Sequence, residues 1–148
     1  MKKICFSIPC YNEVENVVPM VEEILKIFSR EDLKMYIPSI EFIDNKSNDG
    51  TRAKLRELCA KYPNNVKAIL NARNFGGVSN YYGILQTKGD CTIVLPCDFQ
   101  IPLEIIPDLI KKWENGAKVV CAVKKSSKEN KAMWKVRNVY YWLIKKFS

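Results

Sequence analysis

The chain has 148 residues, 47% hydrophobic and 27% charged, which suits one soluble domain with an ordinary core and excludes a disordered polymer. The formal net charge is +8, histidine is absent, and the six cysteines form no Cys-x-x-Cys pair. This excludes His-based triads and His-based metal sites, and favours reduced core thiols over a zinc cluster or disulfide framework. No run approaches the roughly 20 apolar residues of a membrane span, and Met1-Lys2-Lys3-Ile4 enters a strand directly, so no signal peptide and a cytoplasmic location are expected.

Residues 3–8 read as a buried strand that Pro9 ends. Asn12 is placed to cap the helix that follows, in which Val14, Val17, Val18, Val21, Leu25 and Phe28 recur at helical spacing. Pro19 lies inside that pattern and is expected to kink its first turns. After a polar connection, residues 39–43 form a second strand, and residues 44–51 are a loop dense in turn formers. Leu55, Leu58, Cys59 and Tyr62 mark one face of a second helix; residues 66–70 form a third strand, 71–77 a loop and 78–87 a helix. A strand through residues 91–95 leads to Asp98, and a helix from about Pro102 turns Ile105, Ile106, Leu109, Ile110 and Trp113 inward. Gly116 closes that helix, and residues 119–123 read as a fifth strand. Strands that are continuous apolar runs, alternating with helices, predict an α/β fold: a mostly parallel sheet with helices on both faces.

Charge is unevenly placed. Residues 124–148 hold eight of the 24 basic residues and one of the 16 acids, so this stretch carries +7 and the rest +1. The division expected is a core domain over 1–123 and a basic tail over 124–148. Within the tail, Met133, Val136, Tyr140, Leu143, Ile144 and Phe147 share one side of a helix flanked by lysines. That composition fits a helix lying on an anionic membrane surface, or one packed on further polypeptide. No nucleic-acid reader motif accompanies it, and no nucleic-acid partner is expected.

Asp98 and Gln100 stand two residues apart just past a buried strand, at the carboxyl edge where open α/β sheets bind ligands. Residues 9–13, 44–51, 73–77 and 96–100 should meet there. Their chemistry suits a nucleoside diphosphate: a Tyr to cover a base or ribose, an Asp to accept from a base N–H or a ribose hydroxyl, and an Arg to pair with phosphate. Asp98 can hold a hard divalent cation that bridges both phosphates. No Gly-x-Gly-x-x-Gly follows the first strand, which argues against a dinucleotide-dependent oxidoreductase.

Four motifs in this order and spacing resemble family 2 glycosyltransferases of the GT-A fold, most closely the polyprenyl-phosphate branch typified by dolichyl-phosphate mannose synthase. They are Ile8-Pro9-Cys10-Tyr11-Asn12-Glu13, Phe42-Ile43-Asp44 through Thr51, Arg73-Asn74-Phe75-Gly76, and Cys97-Asp98-Phe99-Gln100 with Pro102 and Glu104. The resemblance implies that Pro9, Tyr11 and Glu13 line a nucleoside pocket and that Asp44 contacts the base. It implies that Arg73 positions the diphosphate or sugar, and that Cys97 and Asp98 lie at the nucleotide. Asp98 with Gln100 would hold Mg²⁺ or Mn²⁺, so that Asp98 serves catalysis through the metal. Asp49 is expected to cap a helix, Asn74 to tie loops together and Phe75 to be core.

The implied partners are a UDP- or GDP-linked sugar donor, a polyprenyl-phosphate or glycan acceptor, and an anionic membrane surface reached from the cytoplasmic side. The implied reaction is inverting sugar transfer in lipid-linked sugar or surface polysaccharide synthesis. Pro96 replaces the first acid of the metal motif, and Asn45 and Lys46 stand where an acid and a glycine are usual. The family also continues beyond this length with acceptor-side strands and an acid suited to a base role, so the resemblance implies a fold truncated on the acceptor side. The alternative is a degenerate, non-catalytic nucleotide-binding or interaction module.

Overall fold

The structure is a computed structural model that describes residues 1–123. The basic segment 124–148, with its expected amphipathic helix, lies outside the described residues. Met1–Lys118 form one compact unit. Its elements are β1 (Lys2–Cys10), α1 (Val17–Phe28), β2 (Tyr36–Asp44), α2 (Thr51–Lys61), β3 (Val66–Leu70), α3 (Val78–Gln86), β4 (Cys91–Val94), a 3-10 turn (Leu103–Ile105) and α4 (Ile106–Glu114).

All strand pairs are parallel, in the order β3-β2-β1-β4. The side-chain period of two divides β1 and β2 between two faces. Ile4, Phe6, Ile8 and Cys10, with Ile40 and Phe42, build the main core against α1, α2 and α4. Phe6 meets Phe28 of α1 edge-on, with ring centroids 5.7 Å apart. The opposite face carries Ser7, Ser39, Glu41 and Ile43, all buried, and α3 packs on β1 and β2. Helices therefore cover both faces, as the alternation of apolar strands and helices predicts.

That second face is unusually polar. The Ser39 hydroxyl donates to a Glu41 carboxylate oxygen at 3.4 Å, and Ser7 Oγ is buried without a partner. α3 approaches closely because Gly83 has no side chain: a Cβ there would stand 2.6 Å from Ile43 and 3.0 Å from Ser7 Oγ.

Several local expectations are corrected. β1 runs through Pro9 to Cys10. The Ser7 carbonyl accepts from Leu95 on the β4 side, and Cys10 O accepts from Asn45 on the β2 side. Pro9 shares the parity of Ser7, so its missing N–H would face β4 beyond the last paired residue, Val94. α1 begins at Val17, which puts Pro19 in the first turn, where its missing N–H leaves no helical bond unmade. Asn16, not Asn12, is the N-cap of that helix. Gly116 ends α4 as expected: at φ +97° it donates to the Trp113 carbonyl while Ala117 donates to Lys112, a Schellman closure. Residues 119–123 form no strand, and Val119 and Val123 are exposed. An apolar run becomes a strand only with a ladder partner for its backbone, and these residues have none among those described.

Candidate functional site

The parallel topology brings the loops after β1, β2, β3 and β4 to one carboxyl edge, and short polar side chains lace the first two together. The Asn12 N–H donates to Ser47 Oγ (2.8 Å), and Asn12 Oδ1 accepts from the Asn48 N–H (3.0 Å). The Glu13 N–H donates to Thr51 Oγ1 (2.9 Å), and the Val14 N–H to Asp49 Oδ2 (3.1 Å). Asn12 adopts φ +58°, a left-handed conformation that Asn tolerates better than most residues.

Asp49 also accepts from the backbone N–H and hydroxyl of Thr51, at 3.0 and 2.6 Å, at the start of α2. Burial pushes its carboxyl up, but the Thr51 and Val14 donors together hold it below the usual value. Asp49 stands one residue before Gly50, the N-cap of α2, and meets the capping expectation by accepting from the first N–H of the helix.

Asp44, at the end of β2, is fully buried. Its carboxylate accepts from the N–H groups of Lys46 (3.1 Å) and Ser47 (3.3 Å), and Arg52 Nε lies 3.4 Å away. Its oxygens are thus engaged within the chain and hold loop 44–51 in shape. Arg52 Nε is buried and within ion-pair range without a hydrogen bond.

Asp98 and Gln100 are exposed on the loop after β4. Asp98 accepts from the Gln100 backbone N–H at 3.3 Å and from its side-chain amide at 2.5 Å. The residue between them, Phe99, is held at φ +56°, a strained conformation of the kind found at ligand sites. The Gln100 amide thus turns its nitrogen to Asp98, so a hard cation here would take the Asp98 carboxylate directly, would need the Gln100 amide turned to present its oxygen, and would draw its remaining ligands from phosphate and water. Among the described residues, no group of three or more metal-ligating side chains gathers.

Tyr11 is 49% exposed, Pro9 and Glu13 are half-buried, and Glu13 accepts from the Asn16 side chain at 2.6 Å. Cys97 is buried in the core, and burial pushes its thiol up to about 12. Cys10 is raised further for the same reason, so both are neutral packing groups. Arg73 is exposed, with its guanidinium 4.8 Å from the Phe75 ring centroid. Phe75 is itself 42% exposed, which corrects its expected core position. Asn74 accepts from the Gly76 N–H at 2.8 Å, within its own turn. Beside this loop a cavity of about 310 Å³ is lined by Ile69, Asn71, Phe75, Val78, Ser79 and Tyr82.

The loop-holding roles of Asn45, Ser47, Thr51 and Asn71 escape motif reading. For the first three the signal is the density of Asn, Ser, Thr and Asp over residues 44–51, which marks a loop without naming partners, and Asn71 has only its place just after a strand. A second cavity, of about 580 Å³, opens at the amino edge of the sheet between Lys2, Tyr36, Asp90 and Glu114. Both its acids are already bonded, Glu114 to Lys2 (2.7 Å) and Tyr36 (3.1 Å) and Asp90 to the Lys3 N–H (2.7 Å), so the chemistry favours the carboxyl edge.

Residues 5–148 match the family described as glycosyl transferase family 2. A bactoprenol glucosyl transferase of Shigella phage SfX is 34% identical over 148 residues, covering 99% of this chain and 47% of that protein. A dolichol-phosphate mannosyltransferase of Pyrococcus furiosus is 38% identical over 120 residues, covering 79% of this chain and 32% of that one. Among solved structures, S. aureus TarS 1-349 superposes with a TM-score of 0.59 at 17% identity, over 87% of this chain and 40% of that one. Another structure of the same protein, with a TM-score of 0.53 at 18% identity, is a complex with UDP-GlcNAc. The likeness to TarS bears on the fold, which is GT-A. This chain spans about half the length of the phage relative, 47%. With its motif-bearing loops at one sheet edge and the family match running from the first strand to the last residue, this chain belongs to glycosyl transferase family 2.

Proposed function

We propose that this chain carries the donor half of an inverting glycosyltransferase, taking a UDP- or GDP-linked sugar and serving a polyprenyl-phosphate or glycan acceptor. The observation that carries the reading is the laced carboxyl edge. Exposed Tyr11 stands on a loop that Asp49 and Thr51 tie to the loop Asp44 holds, and exposed Arg73, Asp98 and Gln100 stand on the loops after β3 and β4 at the same edge. The relatives named for bactoprenol and dolichol phosphate support the acceptor class.

In this reading Tyr11 covers the base, with Pro9 and Glu13 beside it. Asp44 shapes the base end through the loop it holds, the Cys97 backbone borders the nucleotide, and Arg73 pairs with the diphosphate. Asp98 and Gln100 would hold Mg²⁺ or Mn²⁺, whose charge offsets that developing on the leaving diphosphate. The acceptor oxygen forms its bond to the anomeric carbon as the bond to the diphosphate breaks, and the diphosphate takes the electron pair. A phosphate acceptor is already anionic and needs no base, whereas a sugar hydroxyl needs a carboxylate base.

The enzyme works at the cytoplasmic face of a membrane, with the +7 segment 124–148 against anionic lipid. Among the described residues no helix is long and apolar enough to cross a membrane. The lone carboxylate of the metal motif favours a second reading, a binding module without turnover, and sugar transfer separates the two.

Calorimetric titration with UDP, GDP and their common sugars, with and without Mn²⁺, tests the proposal. We expect micromolar binding of one nucleotide, weakened in Asp98→Ala by about as much as chelation weakens the wild type. With one carboxylate, chelation by EDTA should weaken binding by no more than about tenfold. Complete loss in EDTA with recovery in millimolar Mg²⁺ would contradict the weak metal dependence, and no binding at all would contradict the donor site.

A further inference from the structure

Asn45 stands where the family resemblance leads one to expect an acid, and its surroundings explain an amide. It is buried just past the end of β2, and its backbone N–H donates to the Cys10 carbonyl at 2.9 Å. Its side-chain oxygen accepts from the Asn71 side-chain amide at 3.2 Å and from the Phe75 N–H at 3.4 Å. Its side-chain nitrogen donates to the Gly76 carbonyl at 3.3 Å. The opposite amide orientation would aim an NH₂ at the Phe75 N–H and an oxygen at the Gly76 carbonyl, so these two backbone partners fix the assignment. Each bond is long and individually weak. Their effect comes from convergence on one buried residue, backed by the Asn71 N–H donating to the Asp44 carbonyl at 3.0 Å.

The segment held in this way, 71–76, carries Arg73, whose guanidinium lies over the ring of the Phe75 that Asn45 pins. We propose that Asn45 is a positioning residue that sets the Arg73 loop, and through it the guanidinium, for the donor diphosphate. A carboxylate at position 45 accepts from Asn71 and Phe75 but turns a lone pair on the Gly76 carbonyl, so only the amide closes all three contacts. The inference rests on the donor-site reading above and adds to it a residue that acts through Arg73 without touching the nucleotide.

The test is a double-mutant cycle on the full chain with UDP and GDP as probes. It uses Asn45→Ala, Arg73→Ala and the pair, with thermal melts and hydrogen exchange at the Phe75 amide. Pre-ordering one long side chain is worth about threefold to tenfold in affinity, so Asn45→Ala should weaken binding by that factor. The same change should cost nothing further in the Arg73→Ala background, and the Phe75 amide should lose protection. Asn45→Asp, nearly isosteric, should keep the fold and fall between wild type and Asn45→Ala, and it carries the cycle if Asn45→Ala does not fold. Equal losses with and without Arg73 would overturn the inference, since a purely structural role acts on both backgrounds alike. Unchanged affinity in Asn45→Ala would overturn it too. A wild-type chain that binds neither nucleotide overturns the donor-site reading and the Arg73 role together, while exchange at Phe75 separately reports whether the clamp exists.

Discussion

Asp49 joins two loops at a single carboxylate: one oxygen serves Thr51 at the head of α2, the other the Val14 N–H. Replacing it with alanine should cost about 1–2 kcal/mol, the scale of a lost helix cap, measured by denaturant unfolding. Its carboxyl is held below the usual value in the folded chain. Its contribution is therefore complete above the unfolded carboxylate pKa and is lost as pH falls through the folded one. The stability gap between wild type and Asp49→Asn should narrow below about pH 4, near the unreacted carboxylate value, and a constant gap down to pH 2 would contradict this.

Lys46 sits at φ +64°, where a side chain is strained and a glycine is not. Lys46→Gly should leave stability unchanged or raise it by up to about 1 kcal/mol, read from the same denaturation. The roles of Asp49 and Gly116 are legible in the sequence because caps are local chemistry. Those of Asn45 and Phe75 are not, since their partners lie 26–31 residues or a whole loop away and a linear pattern holds no distance across a sheet edge.

Among the elements, α3 carries its packing backwards relative to an ordinary amphipathic helix. Small Ser79 and Gly83 face the sheet, while Val78, Tyr81 and Leu85 are exposed. Glycine inside a helix normally costs about 1 kcal/mol against alanine. Gly83→Ala should nonetheless destabilise, by about 1–3 kcal/mol, because the added carbon would meet Ile43 at 2.6 Å; a raised melting temperature would contradict the close packing. The elements that could be read beforehand are those with a strong period or a clean apolar run. β3 falls at residues 66–70 as expected, and α1, α2 and α4 fall near their apolar stripes. Boundaries shifted where the ladder decided them: β2 gains Tyr36 through Pro38 by pairing with Lys2 through Ile4. The expected fifth strand fails for the same reason, since apolar composition at 119–123 supplies no hydrogen-bonding neighbour.

At the scale of the whole molecule, the four parallel strands fix which ends of the loops meet, and the loops fix the chemistry. The carboxyl edge gathers Tyr11, Arg73, Asp98 and Gln100, while the amino edge holds a cavity whose acids are already bonded, Glu114 to Lys2 and Tyr36 and Asp90 to the Lys3 N–H. That one donor site is built from four separate loops is the central claim. It is tested most directly by backbone amide NMR of the full chain titrated with UDP and GDP. The account predicts that one nucleotide shifts amides in residues 9–13, 44–51, 71–77 and 97–100 together, along one binding curve. Amides at Lys2, Tyr36, Asp90 and Glu114 should stay in place. Shifts confined to the amino edge, or to one loop alone, would contradict it.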